Sequence, residues 1–219
     1  MLHDFELVIF DCDGILVDSE RLTVGVEAEL LTALGWPMEA DEVVRRWMGR
    51  TSSDQLAEVA ARLGEEAAAE FDRRSTAAVR AAFETDLAAV EGVVELVDAL
   101  AVRGIPTCVA SSGTPARMEH TLGLTGLWER FAGRIFSAVE VAHGKPAPDL
   151  FLHAADRMGA SPARCAVVED SVPGVRAGVA AGMTVYGYTG GLTDEAALVA
   201  AGAEPFGHMR ELLSGGRPA

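Results

Sequence analysis

The sequence predicts an α/β protein, a doubly wound parallel sheet with an all-helical insertion after its first strand. Three observations lead there. A short apolar run at residues 7–10, LVIF, is followed up to about residue 85 by apolar positions that repeat only with helical period. Beyond VEGVVELVDALAVRG the pattern becomes strand-like runs alternating with helical segments. Most of the strand-like runs lead into acidic, hydroxyl or glycine residues. Strands alternating with helices of this length build parallel sheets, because a parallel pair needs a crossover connection.

Each element follows from its residues. LVIF is short, partly β-branched and bounded by a Gly-containing turn, as a buried strand should be. RLTVGVEAELLTALG spaces Leu22, Val26, Leu30 and Leu34 four apart, and Gly35 and then Pro37 stop it. SSDQLAEVAARLG opens on a Ser/Asp cap signal and closes on Gly, and the Ala-rich EEAAAEFDRRSTAAVRAAFETDL extends the block as one long helix or a pair. Further strands are expected at residues 105–110, 134–139, 164–168 and 183–188, separated by the helical segments PARMEHTLGL, PDLFLHAADRMG and VPGVRAGVAAG. Residues 1–17 and 86–219 are therefore expected to form the α/β core and residues 18–85 the helical insertion, with SGGRPA as a frayed C-terminal tail. Right-handed crossovers bring the C-terminal ends of the strands to one edge, where open α/β sheets bind ligands.

Composition narrows the partners. The 219 residues can bury a sizeable core, and a hydrophobic fraction of 49% with 23% charged residues is that of a globular protein. A net charge of -15 with no basic stripe argues against nucleic acid and anionic membranes as partners. Cys12, Cys108 and Cys165 are far apart, odd in number and beside strand-like runs, so they are expected to be reduced core thiols. The N-terminus lacks a positive region followed by a long apolar one, and no apolar stretch approaches the ~18 residues of a membrane span. A cytoplasmic monomer or weak homodimer acting on a small molecule is expected.

The chemistry gathers at the strand ends. LVIF leads into Asp11, Cys12, Asp13 and Gly14; TCVA into Ser111, Ser112 and Gly113; CAVV into Glu169, Asp170 and Ser171; and a loop after the third strand holds GKPAPD with Lys145. Each piece alone has an ordinary use: a turn, a helix start with Pro115 near its first position, an N-cap cluster, a surface loop. Together, carboxylates from two strands at one edge would repel one another, more so when buried. Lys145 is the only lysine in the chain, so a compact ammonium is singled out at that loop. One lysine cannot neutralise Asp11, Asp13, Glu169 and Asp170, and oxygen-only donors with no nearby His/Cys cluster point to Mg²⁺ rather than Zn²⁺. A phosphate then fits between the metal, Lys145 and the start of the helix at Ser111, Ser112 and Gly113. A carboxylate beside Mg²⁺ can attack phosphorus, and a second carboxyl two residues on can carry the proton for the leaving oxygen and the attacking water.

In this order and spacing, VIFDCDGILVDSE, VASSG, GKPAPDLF and VVEDSVPGVRAGVAAGM resemble the haloacid dehalogenase superfamily, in its helical-cap phosphatase and β-phosphoglucomutase-like branch. The resemblance implies a Rossmann-like core, Asp11 as nucleophile, Asp13 as general acid/base, Ser111 as phosphate ligand and Lys145 as organiser of charge. It also implies Mg²⁺ held by Asp11, the Asp13 main-chain carbonyl and Asp170, with Glu169 nearby or ligating. True dehalogenases of this fold lack the second Asp, present here as Asp13, and phosphonatases use a cap lysine, absent here. The mutase branch tends to carry a His where this chain has Thr23, and Ser52 and Ser53 stand near the place of its phosphate-gripping arginine. The expected activity is hydrolysis of a small sugar- or polyol-like phosphomonoester through an aspartyl-phosphate. A sugar phosphomutase and a non-catalytic phosphate-accepting module are the alternatives; receivers of the latter kind lack the helical insertion. Gly49, Arg50, Thr51 and Ser52, in the insertion, are the expected specificity positions.

Overall fold

The computed structural model describes residues 2–47 and 52–213. The expected specificity positions Gly49, Arg50 and Thr51, the side chain of Ser52, and the expected tail at 214–219 lie outside the described residues. The chain divides into two compact units, Met1–Asp18 with Ala88–Ala219, and Ser19–Leu87.

The larger unit is built on six parallel strands: β1 (Leu7–Phe10), β2 (Thr107–Ser111), β3 (Ile135–Ser137), β4 (Cys165–Glu169), β5 (Thr184–Tyr188) and β6 (Glu204–Phe206). Their order across the sheet is β3-β2-β1-β4-β5-β6, so β1 is central and the winding reverses between β1 and β4. The LVIF run is apolar throughout because all four residues are buried, as a strand covered on both faces requires. Alternation then splits the core: Leu7 and Ile9 join one cluster with Phe136, Phe151, Val167, Val175 and Val185. Phe10 points the other way, edge-on to Phe131 with ring centroids 6.1 Å apart. Helices α8 (Asp149–Met158), α9 (Val172–Ala180) and α10 (Glu195–Ala201) pack on the first face. Helices α5 (Val93–Val102), α6 (Pro115–Leu124) and α7 (Trp128–Phe131) complete this unit.

Among the described residues the smaller unit holds helices and no strand: α1 (Ser19–Ala33), α2 (Ala40–Trp47), α3 (Ser52–Leu63) and α4 (Glu65–Asp86). The Ala-rich segment is one helix of 22 residues rather than a pair, since Ala, Glu and Arg favour helix along its whole length. Trp47 organises this unit, meeting Trp36 and Phe71 edge-on at 6.4 and 5.7 Å and donating its indole N–H to Glu58 at 3.3 Å.

The strand leaving the larger unit and the one re-entering it are pinned side by side. Val17 pairs antiparallel with Ala89, Asp18 N–H donates to Ala88 at 3.0 Å, and Val90 N–H donates to Leu16 at 3.1 Å.

Candidate active site

The site lies where the winding reverses, at the C-terminal ends of β1 and β4, the usual ligand position in such a sheet. Phe10 is level with Val168, so Asp11 and Glu169 emerge side by side, and Asp11 N–H closes the register by donating to Val168 at 3.0 Å. On the other side, Phe10 is level with Val109, which sets Ser111 at the same edge.

Lys145 joins the two strand ends. Its Nζ donates to Asp11 Oδ1 at 2.5 Å and to Glu169 Oε1 at 2.8 Å, and it lies 4.9 Å from the Phe151 ring centroid. The lysine side chain is 5% exposed, so the ammonium sits in a low-dielectric setting where both pairings are strong. Burial works to lower the Lys145 pKa, but Asp11 and Glu169 outweigh it and hold the group above its usual range. Burial pushes the Asp11 carboxyl up to about 7 against the pull of Lys145, with Glu169 and Asp13 adding to the rise. The cluster is thus short of positive charge even with its lysine in place.

Glu169 is held by four hydrogen bonds. While Oε1 receives Lys145, Oε2 accepts from Asp170 N–H at 2.8 Å, Ser171 N–H at 2.7 Å and the Ser171 hydroxyl at 2.9 Å. Glu169 thus anchors the lysine and the start of α9, and it stands beside Asp170 as expected of a residue near a cation or ligating it. The carboxylate fits there because residue 174 is glycine, whose Cβ would lie 1.6 Å from Oε1. Ser171 caps α9 by accepting from Gly174 N–H at 3.1 Å.

Asp170, also buried, lies against the turn after β1: a Cβ on Gly14 would sit 1.9 Å from its Oδ2, and Gly14 has a φ of +76°. Glycine is required there for conformation and for room. The four carboxyl-bearing residues of the expected site therefore lie at one end of the sheet, Asp11, Glu169 and Asp170 at the strand ends and Asp13 in the turn. Among the described residues no group of three or more His, Cys, Asp or Glu side chains is gathered to hold a metal ion. A cation here would have the two carboxylates of Asp11 and Asp170, completed by main-chain and substrate oxygens, a donor set that suits Mg²⁺.

Ser111 ends β2, and Ser112 and Gly113 lead on towards α6. Ser111 is buried and its hydroxyl accepts from Gly113 N–H at 3.1 Å, while Ser112 is exposed. Thr114 caps α6 with Pro115 at the first helical position, as the sequence suggested. Two residues missed in the sequence brace this segment. Ser137, at the end of β3, donates its hydroxyl to Gly113 carbonyl at 2.6 Å. Arg117 reaches across to Asp13, with Nη2 donating to Oδ1 at 2.9 Å and Nε to Oδ2 at 3.4 Å. Ser137 gave a faint signal, being a hydroxyl at a strand end; Arg117 gave none, since an arginine in a first helical turn is unremarkable in a sequence.

Comparison with known proteins agrees with this layout. A profile of the family described as "Hydrolase: haloacid dehalogenase-like hydrolase" matches residues 5–182. The chain is 33% identical over 182 residues to 6-phosphogluconate phosphatase of Escherichia coli (strain K12), covering 83% of this chain and 81% of that protein. It is 33% identical over 180 residues to hexitol phosphatase A of the same organism, covering 81% and 80%. The crystal structure of a haloacid dehalogenase-like protein of unknown function from Agrobacterium tumefaciens superposes with a TM-score of 0.86 at 37% identity, covering 95% of this chain and 96% of that one. The sheet order, the Asp11–Lys145–Glu169 cluster and these matches converge on one assignment: the chain belongs to the haloacid dehalogenase-like hydrolase family.

Proposed function

We propose that this protein is a Mg²⁺-dependent phosphatase of a small phosphorylated sugar or polyol, working through an aspartyl-phosphate on Asp11. The observation that carries the proposal is the buried Lys145 ammonium shared between Asp11 and Glu169 at the reversal point of the sheet. The names of the relatives support the substrate class, since two of them are phosphatases of 6-phosphogluconate and of hexitols.

Asp11, Asp170 and the Asp13 carbonyl would hold the cation, which supplies positive charge to the phosphoryl oxygens and keeps Asp11 ionised. Lys145 holds Asp11 Oδ1, leaving Oδ2 to attack phosphorus as the ester P–O bond breaks. Asp13 gives its proton to the departing alcohol oxygen. It then takes a proton from water, whose oxygen attacks phosphorus, breaks the acyl-phosphate P–O bond and returns Asp11 as a carboxylate with release of inorganic phosphate. Ser111, Ser112 and Gly113, at the N-terminus of the 10-residue α6, receive the phosphate oxygens. Within this proposal the helical unit acts as the cap that selects the leaving group, through positions 49–52; Arg50→Ala is expected to shift substrate preference more than general ester cleavage.

Phosphate release from a panel of sugar, polyol and nucleoside monophosphates tests the proposal. The wild-type protein with Mg²⁺ is expected to hydrolyse a subset, and Asp11→Asn to lose that activity. Release at equal rates by both would refute it.

A further inference from the structure

We propose that Arg117 is a positioning residue that fixes the carboxyl of Asp13 and ties it to the phosphate-binding segment. The assignment rests on Asp13 acting as acid/base in the phosphatase proposed above.

Asp13 lies in a turn, where its main chain is bridged to Val17. A short acidic side chain in a turn has two rotatable bonds to fix before its proton can be delivered along one line. Arg117 places Nη2 on one carboxylate oxygen at 2.9 Å and Nε on the other at 3.4 Å. A guanidinium spanning both oxygens sets the plane of the carboxylate, which a single point charge does not.

The position of Arg117 strengthens the assignment. It is the third residue of α6, where its N–H donates to the capping Thr114 hydroxyl at 3.3 Å. A cation in the first turn is opposed by the helix dipole, so the helix itself gains nothing from an arginine here. The pair is also half-exposed, with side chains 40% and 26% accessible, and such a pair contributes little to folding. What remains is geometry. One turn further along the same face, Thr121 lies 4.0 Å from Cys12 Sγ and donates its hydroxyl to the Arg117 carbonyl at 3.1 Å. Helix α6 is thus braced against residues 12 and 13 at successive turns, and it begins directly after Ser111, Ser112 and Gly113. A phosphate seated on that segment and the carboxyl of Asp13 are referred to one rigid element, which is how a proton carrier is kept in line with a leaving oxygen.

The test uses kcat/KM, which reports steps up to transfer of the phosphoryl group and departure of the alcohol. Wild type, Arg117→Ala, Arg117→Lys, Asp13→Asn and the double variant Asp13→Asn/Arg117→Ala are compared on p-nitrophenyl phosphate and on the best alkyl phosphate from the panel. p-Nitrophenolate leaves without a proton, whereas an alkoxide needs one. Arg117→Ala is expected to lower kcat/KM on the alkyl ester by about tenfold or more, within the ~100-fold cost of a misplaced catalytic group, with a much smaller change on p-nitrophenyl phosphate. Arg117→Lys should recover only part of the loss, and Arg117→Ala should add nothing in the Asp13→Asn background, with the unfolding midpoint unchanged throughout. Equal losses on both esters, or an undiminished loss in the Asp13→Asn background, would overturn the assignment while leaving the phosphatase standing. A wild-type protein that releases no phosphate from any ester would overturn the phosphatase proposal, and the role of Arg117 with it.

Discussion

Lys145 is paired with two buried carboxylates at once, and the asymmetry of that arrangement predicts opposite outcomes for its members. Replacing the ammonium with Met leaves Asp11 and Glu169 facing each other without compensation, which should cost about 3–5 kcal/mol, the cost of breaking a buried pair. Asp11→Asn removes a charge that burial already disfavours, while Lys145 keeps Glu169, so this variant should be as stable as wild type or more so. Urea unfolding without divalent cation at pH 8 checks both; equal destabilisation would show that the cluster does not hold the charges described. The sequence pointed to Lys145 because it is the only lysine, and to Asp11 because an acid there ends a wholly apolar run. It could not give the partners of Glu169, because strand periodicity places a residue at an edge without saying what its two oxygens touch. That placement depends on a glycine five residues later, whose missing side chain makes the room.

Strands β1 to β5 and the long helices were legible because a two-sided sheet imposes continuous apolar runs and helices impose regular spacing. The edge strand β6, three residues containing Pro205, and the short helices α7 and α10 carry too few periodic positions to stand out. Ser137 shows how such short elements still place the site. Its hydroxyl on Gly113 joins β3 to the segment after β2, so Ser137→Ala should loosen phosphate binding, raising the inhibition constant for inorganic phosphate by about fivefold, the equivalent of one ~1 kcal/mol hydrogen bond. No change in that constant would confine Ser137 to packing. In α1, burial pushes the Glu27 carboxyl from 4.5 to about 7. The folded chain then holds this proton to higher pH than the unfolded one, so the stabilisation is full below the unfolded value and is lost as pH rises through about 7. Glu27→Gln should therefore gain on the order of 2–3 kcal/mol at pH 8 and little at pH 5. Chemical denaturation at the two values measures it, and a gain independent of pH would contradict the burial of a titrating carboxyl.

From the change of periodicity the sequence led to expected boundaries at 17/18 and 85/86; the two compact units divide at Asp18/Ser19 and Leu87/Ala88, and the structure adds how that boundary is made. Residues 16–18 and 88–90 are hydrogen-bonded as a short antiparallel pair, so the insertion leaves and returns at one fixed place beside the turn that holds Asp13. What periodicity could not show is the order of the strands, since nothing local in β4 says that it lies beside β1 rather than beside β3. That order brings Asp11 and Glu169 together and makes the cluster. Because the cluster is short of positive charge, chelation of divalent cations should abolish hydrolysis and added Mg²⁺ should restore it; turnover unaffected by chelator would remove the cation from the account. The covalent step is the more direct test. Asp13→Asn protein, mixed with p-nitrophenyl phosphate and Mg²⁺ and quenched in acid, should carry one phosphoryl group on the peptide containing Asp11, as seen by mass spectrometry, because the leaving group needs no proton but the water does. Burst release of p-nitrophenolate with no phosphorylated peptide, or with the phosphoryl group on another residue, would contradict Asp11 as the nucleophile.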